Sequence, residues 1–306
     1  MSSTLLKIGR RLGIAALSVV GAAGLLEVVA AIRVHRLRDE RSDLGDRLFT
    51  EIRGAGDSVV FIAGLPATTR FWQGAFDPLA ADHHRLILVD ALGFGRSPFP
   101  EVEYTLDDQL GALRRTLVAL GATRHVTFVA HSFGTLIAAH YAAAYPDEVD
   151  RLFLLGTPVF DDEAEARAHI REMSSMSGLF VLNPLLAREA CKFHEALASP
   201  VLARLVSASI PDTPPEVASE AMKHTWRSFR GSLNILLHRP VAEPLAEIGP
   251  KVTFVHGRED RVTSLGRIHT LAAAIGARVL ATDDEHLTYP QRSAERIRAA
   301  MVPGAE

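Results

Sequence analysis

The chain has a single cysteine, Cys191, so it can form no internal disulfide, and its redox compartment stays open. It has no Walker-type phosphate loop and no dinucleotide fingerprint. Gly93 and Gly95 stand without the third glycine and without the following helix that a cradled phosphate requires, which argues against a nucleotide cofactor. A net charge of -3 with no basic stripe argues against a nucleic-acid partner. The histidines do not fall at metal-ligand spacing: His83 and His84 read as a solvated turn, His256 as a strand end and His269 as a helix face. No metal is expected, and no internal repeat is present.

With 306 residues and 48% hydrophobic content, the chain can bury one full α/β core and carry an insertion. It opens with an apolar run. From Leu12 to Ile32 the only charged residue is Glu27, and about 20 residues at about 1.5 Å each suffice for a hydrocarbon core of roughly 30 Å. Lys7, Arg10 and Arg11 precede the run, and Arg33, Arg36 and Arg38 follow it, so charge on both sides leaves the orientation open. A cleaved leader ending near Val20-Gly21-Ala22 and an amphipathic surface helix are the competing readings. The run continues past that cleavage site, which favours a retained single-pass membrane anchor. Residues 33–47 then read as a tether.

Leu48 to Gly54 alternates like an early antiparallel strand, and alternating strands and helices follow, the pattern of a mainly parallel sheet with helices on both faces. Val126-Thr-Phe-Val129 reads as a buried strand and the stretch from Thr135 as a helix. Ser132 therefore sits on a sharp strand-to-helix turn between two small residues, Ala130 and Gly134, that let the backbone bend and keep the hydroxyl exposed. Asp260 lies in the loop beyond strand Val252-Thr-Phe-Val-His256, where open α/β sheets place ligands. His286 follows strand Ala277-Arg-Val-Leu-Ala281. A serine hydroxyl needs an imidazole to take its proton and a carboxylate to hold the ring, and the chain supplies all three in the order Ser, acid, His.

These residues resemble the α/β-hydrolase family over roughly residues 45 to 303. Ala130-His131-Ser132-Phe133-Gly134 is similar to its G-x-S-x-G elbow, with Ala130 in place of the first glycine. Gly64-Leu65-Pro66 looks like its H-G-x-P segment, with Ala63 in place of the histidine, and Asp90-Ala-Leu-Gly93-Phe-Gly95-Arg-Ser97 looks like its D-x-x-G-x-G-x-S stretch, in which Asp90 reads as structural. The resemblance implies an oxyanion hole from the N–H groups of Leu65 and Phe133, and it selects Asp260 over its neighbour Glu259 through the G-x-x-D-x-V pattern. Asp161 is an outside candidate for the acid. His131 reads as a pocket-wall or hydrogen-bonding residue, because the base must reach Ser132 from another loop. The serine argues against dehalogenase and epoxide hydrolase relatives, which need a carboxylate there.

Between Asp161 and Pro244 the strand–helix alternation stops, and helices are expected over Glu163 to Met176, Pro184 to Leu197 and Pro215 to His238. An insertion at this place resembles the family's helical cap. The expected organisation is an anchor and tether over 1–47, a first core part over 48–160, the cap over 161–244 and a second core part over 245–306. Phe180, Leu182, Leu185, Phe193, Trp226 and Phe229, with Trp72, either line an apolar site or pack internally, since amphipathic helices bury one face in any case. Asp283, Asp284 and Glu285 stand beside His286 and, if close to the ring, favour its protonated form, so activity at mildly alkaline pH is expected. The reading is a membrane-tethered serine hydrolase acting on a small apolar ester, without cofactor. C–C bond hydrolysis, perhydrolysis or a lyase reaction on the same scaffold, and a non-catalytic binding protein, are the alternatives; oligomeric state is open.

Overall fold

Apolar stretches pair into one seven-stranded sheet among the residues that the computed structural model describes: 25–36, 38–39, 41–173, 181–197, 200–209 and 215–301. The strands are β1 (Thr50–Arg53), β2 (Asp57–Ile62), β3 (His84–Val89), β4 (Val126–His131), β5 (Val149–Leu155), β6 (Val252–Gly257) and β7 (Arg278–Thr282). They lie in the order β1-β3-β2-β4-β5-β6-β7, with β1 antiparallel to β3 and all other neighbours parallel.

β4 sits at the centre and is buried at every residue. A parallel strand covered on both faces is mainly apolar, and β4 carries only Thr127 and His131 as polar residues, both buried. Successive side chains enter opposite halves of the core: Val60 and Ile62 join Phe128 and Ala130 on one face, while Val59 and Phe61 join Val129 on the other. The helix Phe133–Ala144 packs on β2, β4 and β5 and is apolar nearly all round, as a helix enclosed in the core must be. The neighbouring helix Leu106–Ala119 opens with a reciprocal capping box between Thr105 and Asp108.

Between β5 and β6 the described residues form helices and no strand: Glu163–Met173, Pro184–Leu197, Pro200–Ser209, Pro215–Ala221 and Trp226–His238, followed by the short Ala242–Ala246 and a 3-10 turn at Gly249–Lys251. The single helix expected over Pro215 to His238 is two. Thr225 breaks it by capping a new start, its hydroxyl accepting from Ser228 N–H while Ser228 Oγ accepts from Thr225 N–H. Leu182 packs with Ala166, Ile170 and Leu237 inside this helical layer, whereas Leu185 and Phe193 are exposed. Phe180 lies outside the described residues.

Most of the expected anchor, residues 12–24, also lies outside them. Among the described residues no helix is long and apolar enough to cross a membrane. The last third of the run begins a helix over 25–36 that lies on the protein surface, with Ala30 buried and Glu27 accepting a hydrogen bond from Lys192 Nζ at 2.5 Å. The stretch expected to be a tether is itself bonded to the core. Arg38 donates to Phe99 O at 2.8 Å and pairs with Glu101 at 2.8 Å, and Arg41 donates to Gly95 O at 2.8 Å.

Candidate active site

Three loops at the carboxyl ends of β4, β6 and β7 meet at one point on the sheet edge. Ser132 follows β4 directly, with φ 50° and ψ -121°, a backbone conformation that non-glycine residues rarely adopt. The turn is pinned on both sides: Ser132 N–H donates to Leu155 O at 2.9 Å, and its carbonyl accepts from Thr135 Oγ1 at 2.6 Å. The bend brings Gly134 against β2, where a Cβ would sit 2.4 Å from Ile62 O, so only glycine fits. Ala130 has no such constraint. It lies in the extended strand, paired with Ile62 on one side and Leu154 on the other, which explains why alanine is accommodated in place of the family's glycine.

His286 Nε2 lies 2.9 Å from Ser132 Oγ, and His286 Nδ1 lies 2.9 Å from Asp260 Oδ2 and 3.2 Å from Oδ1. A carboxylate only accepts, so Nδ1 carries the proton in the neutral ring and Nε2 is left to accept from the serine hydroxyl. Asp260 is buried and also receives Val262 N–H at 2.9 Å and Tyr289 Oη–H at 2.7 Å. Burial by itself raises the pKa of such a carboxyl. The bonds from His286 and Tyr289 and the neighbouring imidazoles overcome that effect and hold Asp260 well below the ordinary carboxylate range. Tyr289 is fully buried, and burial together with the Asp260 charge pushes its hydroxyl far above the usual tyrosine value, so it stays a donor.

The sequence reading missed Tyr289. A tyrosine three residues after the histidine carries no signal of its own, and its role emerges only when the β6 and β7 loops meet. His131 has a defined place as well. Its Nε2 lies 2.7 Å from the His286 carbonyl, its ring stacks on Phe71 at 4.5 Å, and burial lowers its pKa to about 3. Because a carbonyl only accepts, Nε2–H donates to it, and His131 works as a neutral clamp on the His286 loop.

The Gly64-Leu65-Pro66 segment lies against Ser132: a Cβ on Gly64 would stand 2.8 Å from Ser132 Cβ. The loop lacks the family's histidine at Ala63 and is braced instead by Asp90, whose fully buried carboxylate accepts Thr69 N–H at 2.7 Å and Arg96 N–H at 2.9 Å. Phe133 begins the helix that Ser132 caps, and Leu65 follows Gly64 in the loop after β2.

Other sequence candidates fall elsewhere. Glu259 is exposed, and Asp161 is exposed and paired with Arg267. Asp283 pairs with Arg258 at 2.7 Å, and Asp284 is buried on Thr288 and Ser293, so neither is bonded to the imidazole. Trp72 is 1% exposed, enclosed in an aromatic cluster with Phe61, Phe71 and Phe76. Trp226 faces a groove beside the 25–36 helix, and Phe229 packs on His224 at 5.5 Å.

The chain belongs to the alpha/beta hydrolase fold family, whose model matches residues 57–292. It is 33% identical over 116 residues to a probable lysophospholipase, BODYGUARD 4, of Arabidopsis thaliana, a stretch covering 37% of this chain and 28% of that protein. It is 32% identical over 119 residues to a cis-3-alkyl-4-alkyloxetan-2-one decarboxylase of Shewanella oneidensis, covering 38% and 37%. The matched stretches thus span about a third of these relatives' length. Among solved structures, the esterase EaEST of Exiguobacterium antarcticum superposes with a TM-score of 0.62 at 20% identity, covering 82% of this chain and 91% of that one. At that identity the likeness is one of fold.

Proposed function

We propose that this protein is a serine hydrolase that cleaves an apolar carboxylic ester and is attached to a membrane through the apolar run Leu12 to Ile32. The observation that carries the reading is the 2.9 Å approach of His286 Nε2 to Ser132 Oγ, with Asp260 on the opposite ring nitrogen. His286 takes the proton as Ser132 Oγ attacks the ester carbonyl. Asp260 stabilises the imidazolium, and the N–H groups of Leu65 and Phe133 receive the oxyanion. His286 then protonates the leaving alcohol, and water releases the acyl group by the same route.

The probable lysophospholipase among the relatives fits a lipid-like ester. A haloalkane dehalogenase of Agrobacterium fabrum, 34% identical over 105 residues, matches about a third of each chain. A serine at position 132 does not supply the carboxylate nucleophile that such chemistry needs. The decisive experiment is Ser132→Ala: turnover of p-nitrophenyl esters and labelling by a fluorophosphonate both disappear, and persistence of either overturns the assignment. A chain-length series of the same esters then locates the preferred acyl group. Carbonate extraction tests the attachment, because a chain stripped intact from the membrane fraction is not held by its apolar run.

A further inference from the structure

On the helix over 25–36, Leu25, Val28, Val29 and Ile32 recur at the spacing of one helical face, and all four are exposed. In sequence this face continues the apolar run 12–24. Beside it opens a groove of about 850 Å³ between this helix, the 41–49 segment and the helices after β5. Its walls bring together Arg33, Arg36, Arg41, Arg96 and Lys223, with Asp43 among the lining and with Glu51 and Glu220 paired to two of the cations, in a chain whose net charge is negative. Arg96 is held by Glu51 and by stacking on Phe49 at 3.8 Å, Lys223 by Glu220, and Arg41 by Gly95 O. The groove stays open with those partners seated. Val29 and Ile32 line it too, so one cavity offers guanidinium forks next to an apolar stripe.

That pairing is the signature of an amphiphile with an anionic head. Arginine forks match phosphate oxygens in a bidentate manner, and clustered cations next to a membrane-facing apolar helix favour acidic lipids. We propose that this groove is a binding site for the phosphate-bearing headgroup of an anionic phospholipid in the bilayer, whose acyl chains run along Leu25, Val28, Val29 and Ile32. The site is separate from Ser132, and the proposal rests on the membrane attachment given above. Bound there, the lipid fixes how the 25–36 helix and the helical layer beside it sit on the membrane surface.

The test uses the full chain in uncharged maltoside micelles, carrying Ser132→Ala so that an ester probe is not consumed. Dihexanoyl phosphatidylglycerol and dihexanoyl phosphatidylcholine are titrated by calorimetry. The expected result is saturable one-to-one binding of the anionic lipid, at least tenfold tighter than the zwitterionic one. Arg33→Gln combined with Arg36→Gln weakens it by about thirtyfold, from roughly fivefold per cation. Arg36→Lys, which keeps the charge but loses the fork, weakens it less than Arg36→Gln does, Arg171→Gln outside the groove leaves it unchanged, and melting curves verify that each variant is folded. Equal affinity for the two lipids, indifference to the Arg33 and Arg36 changes, or displacement by inorganic phosphate at the affinity of the lipid overturns the proposal. Carbonate extraction reports on membrane attachment separately, so failure of that reading is distinguishable from failure of the groove.

Discussion

Replacing Tyr289 by Phe removes one oxygen atom and leaves the ring in place. That oxygen bridges two loops: it donates to Asp260 Oδ2 at 2.7 Å and accepts Gly257 N–H at 3.0 Å, in a fully buried position. A hydrogen bond to a charged group contributes about 1.5–3 kcal/mol, and a buried N–H left without a partner costs about 1–3 kcal/mol. With partial relaxation of the loop, the expected loss of stability near neutral pH is about 2–4 kcal/mol. Asp260 keeps Val262 N–H and His286, so the acid remains at the site but is less firmly aimed. Ester turnover should fall roughly tenfold in kcat, equivalent to about 1.4 kcal/mol of transition-state stabilisation, with KM unchanged because the hydroxyl faces Asp260 and Gly257. Denaturant unfolding and steady-state kinetics on the same preparation give both numbers. A Tyr289→Phe chain with wild-type stability and wild-type kcat would show that the bridge does not position Asp260, and a rise in KM alone would place the tyrosine at the substrate instead.

Further expectations concern the acid and the elbow. Because the folded pKa of Asp260 lies below its unfolded value, the group contributes stability above about pH 4 that is lost as pH falls toward the folded value. Asp260→Asn does not titrate, so its stability gap from wild type should narrow by about 1.4 kcal/mol per pH unit below about pH 4, and denaturation midpoints at pH 6 and pH 3 that keep a constant gap refute the assignment. Gly134→Ala puts a Cβ into the Ile62 carbonyl and should cost about 1–3 kcal/mol together with most of the activity, whereas Ala130→Gly should cost only about 0.5–1 kcal/mol and keep turnover near wild type. Thermal melts and ester assays on the two variants check the contrast; equal damage from both contradicts the account of the elbow.

The central strands are legible because parallel strands buried on both faces are mainly apolar, and β4 followed by a small-residue turn marks Ser132 without help from structure. Asp260 and His286 were legible as acid and base candidates because each follows a recognisable strand. What escaped depends on contacts between distant segments. Tyr289 gains its meaning from Gly257 and Asp260, and Trp72 is enclosed by aromatics from β2 and the following loop. The Glu27–Lys192 bond spans 165 positions, a separation at which no local pattern operates. The break at Thr225 was visible in principle, since a hydroxyl residue three before Ser228 is a helix-start signal, but the apolar spacing on either side masked it.

The link from Glu27 to Lys192, with Arg38 and Arg41 fastened to the core a few residues later, turns the N-terminal helix into a splint instead of a leash. A leashed body tumbles and samples every approach to a surface. A splinted one moves with residues 25–36 as a unit, so removing the link by Glu27→Ala should loosen this helix on the body and uncover Ala30, with no residue near Ser132 altered.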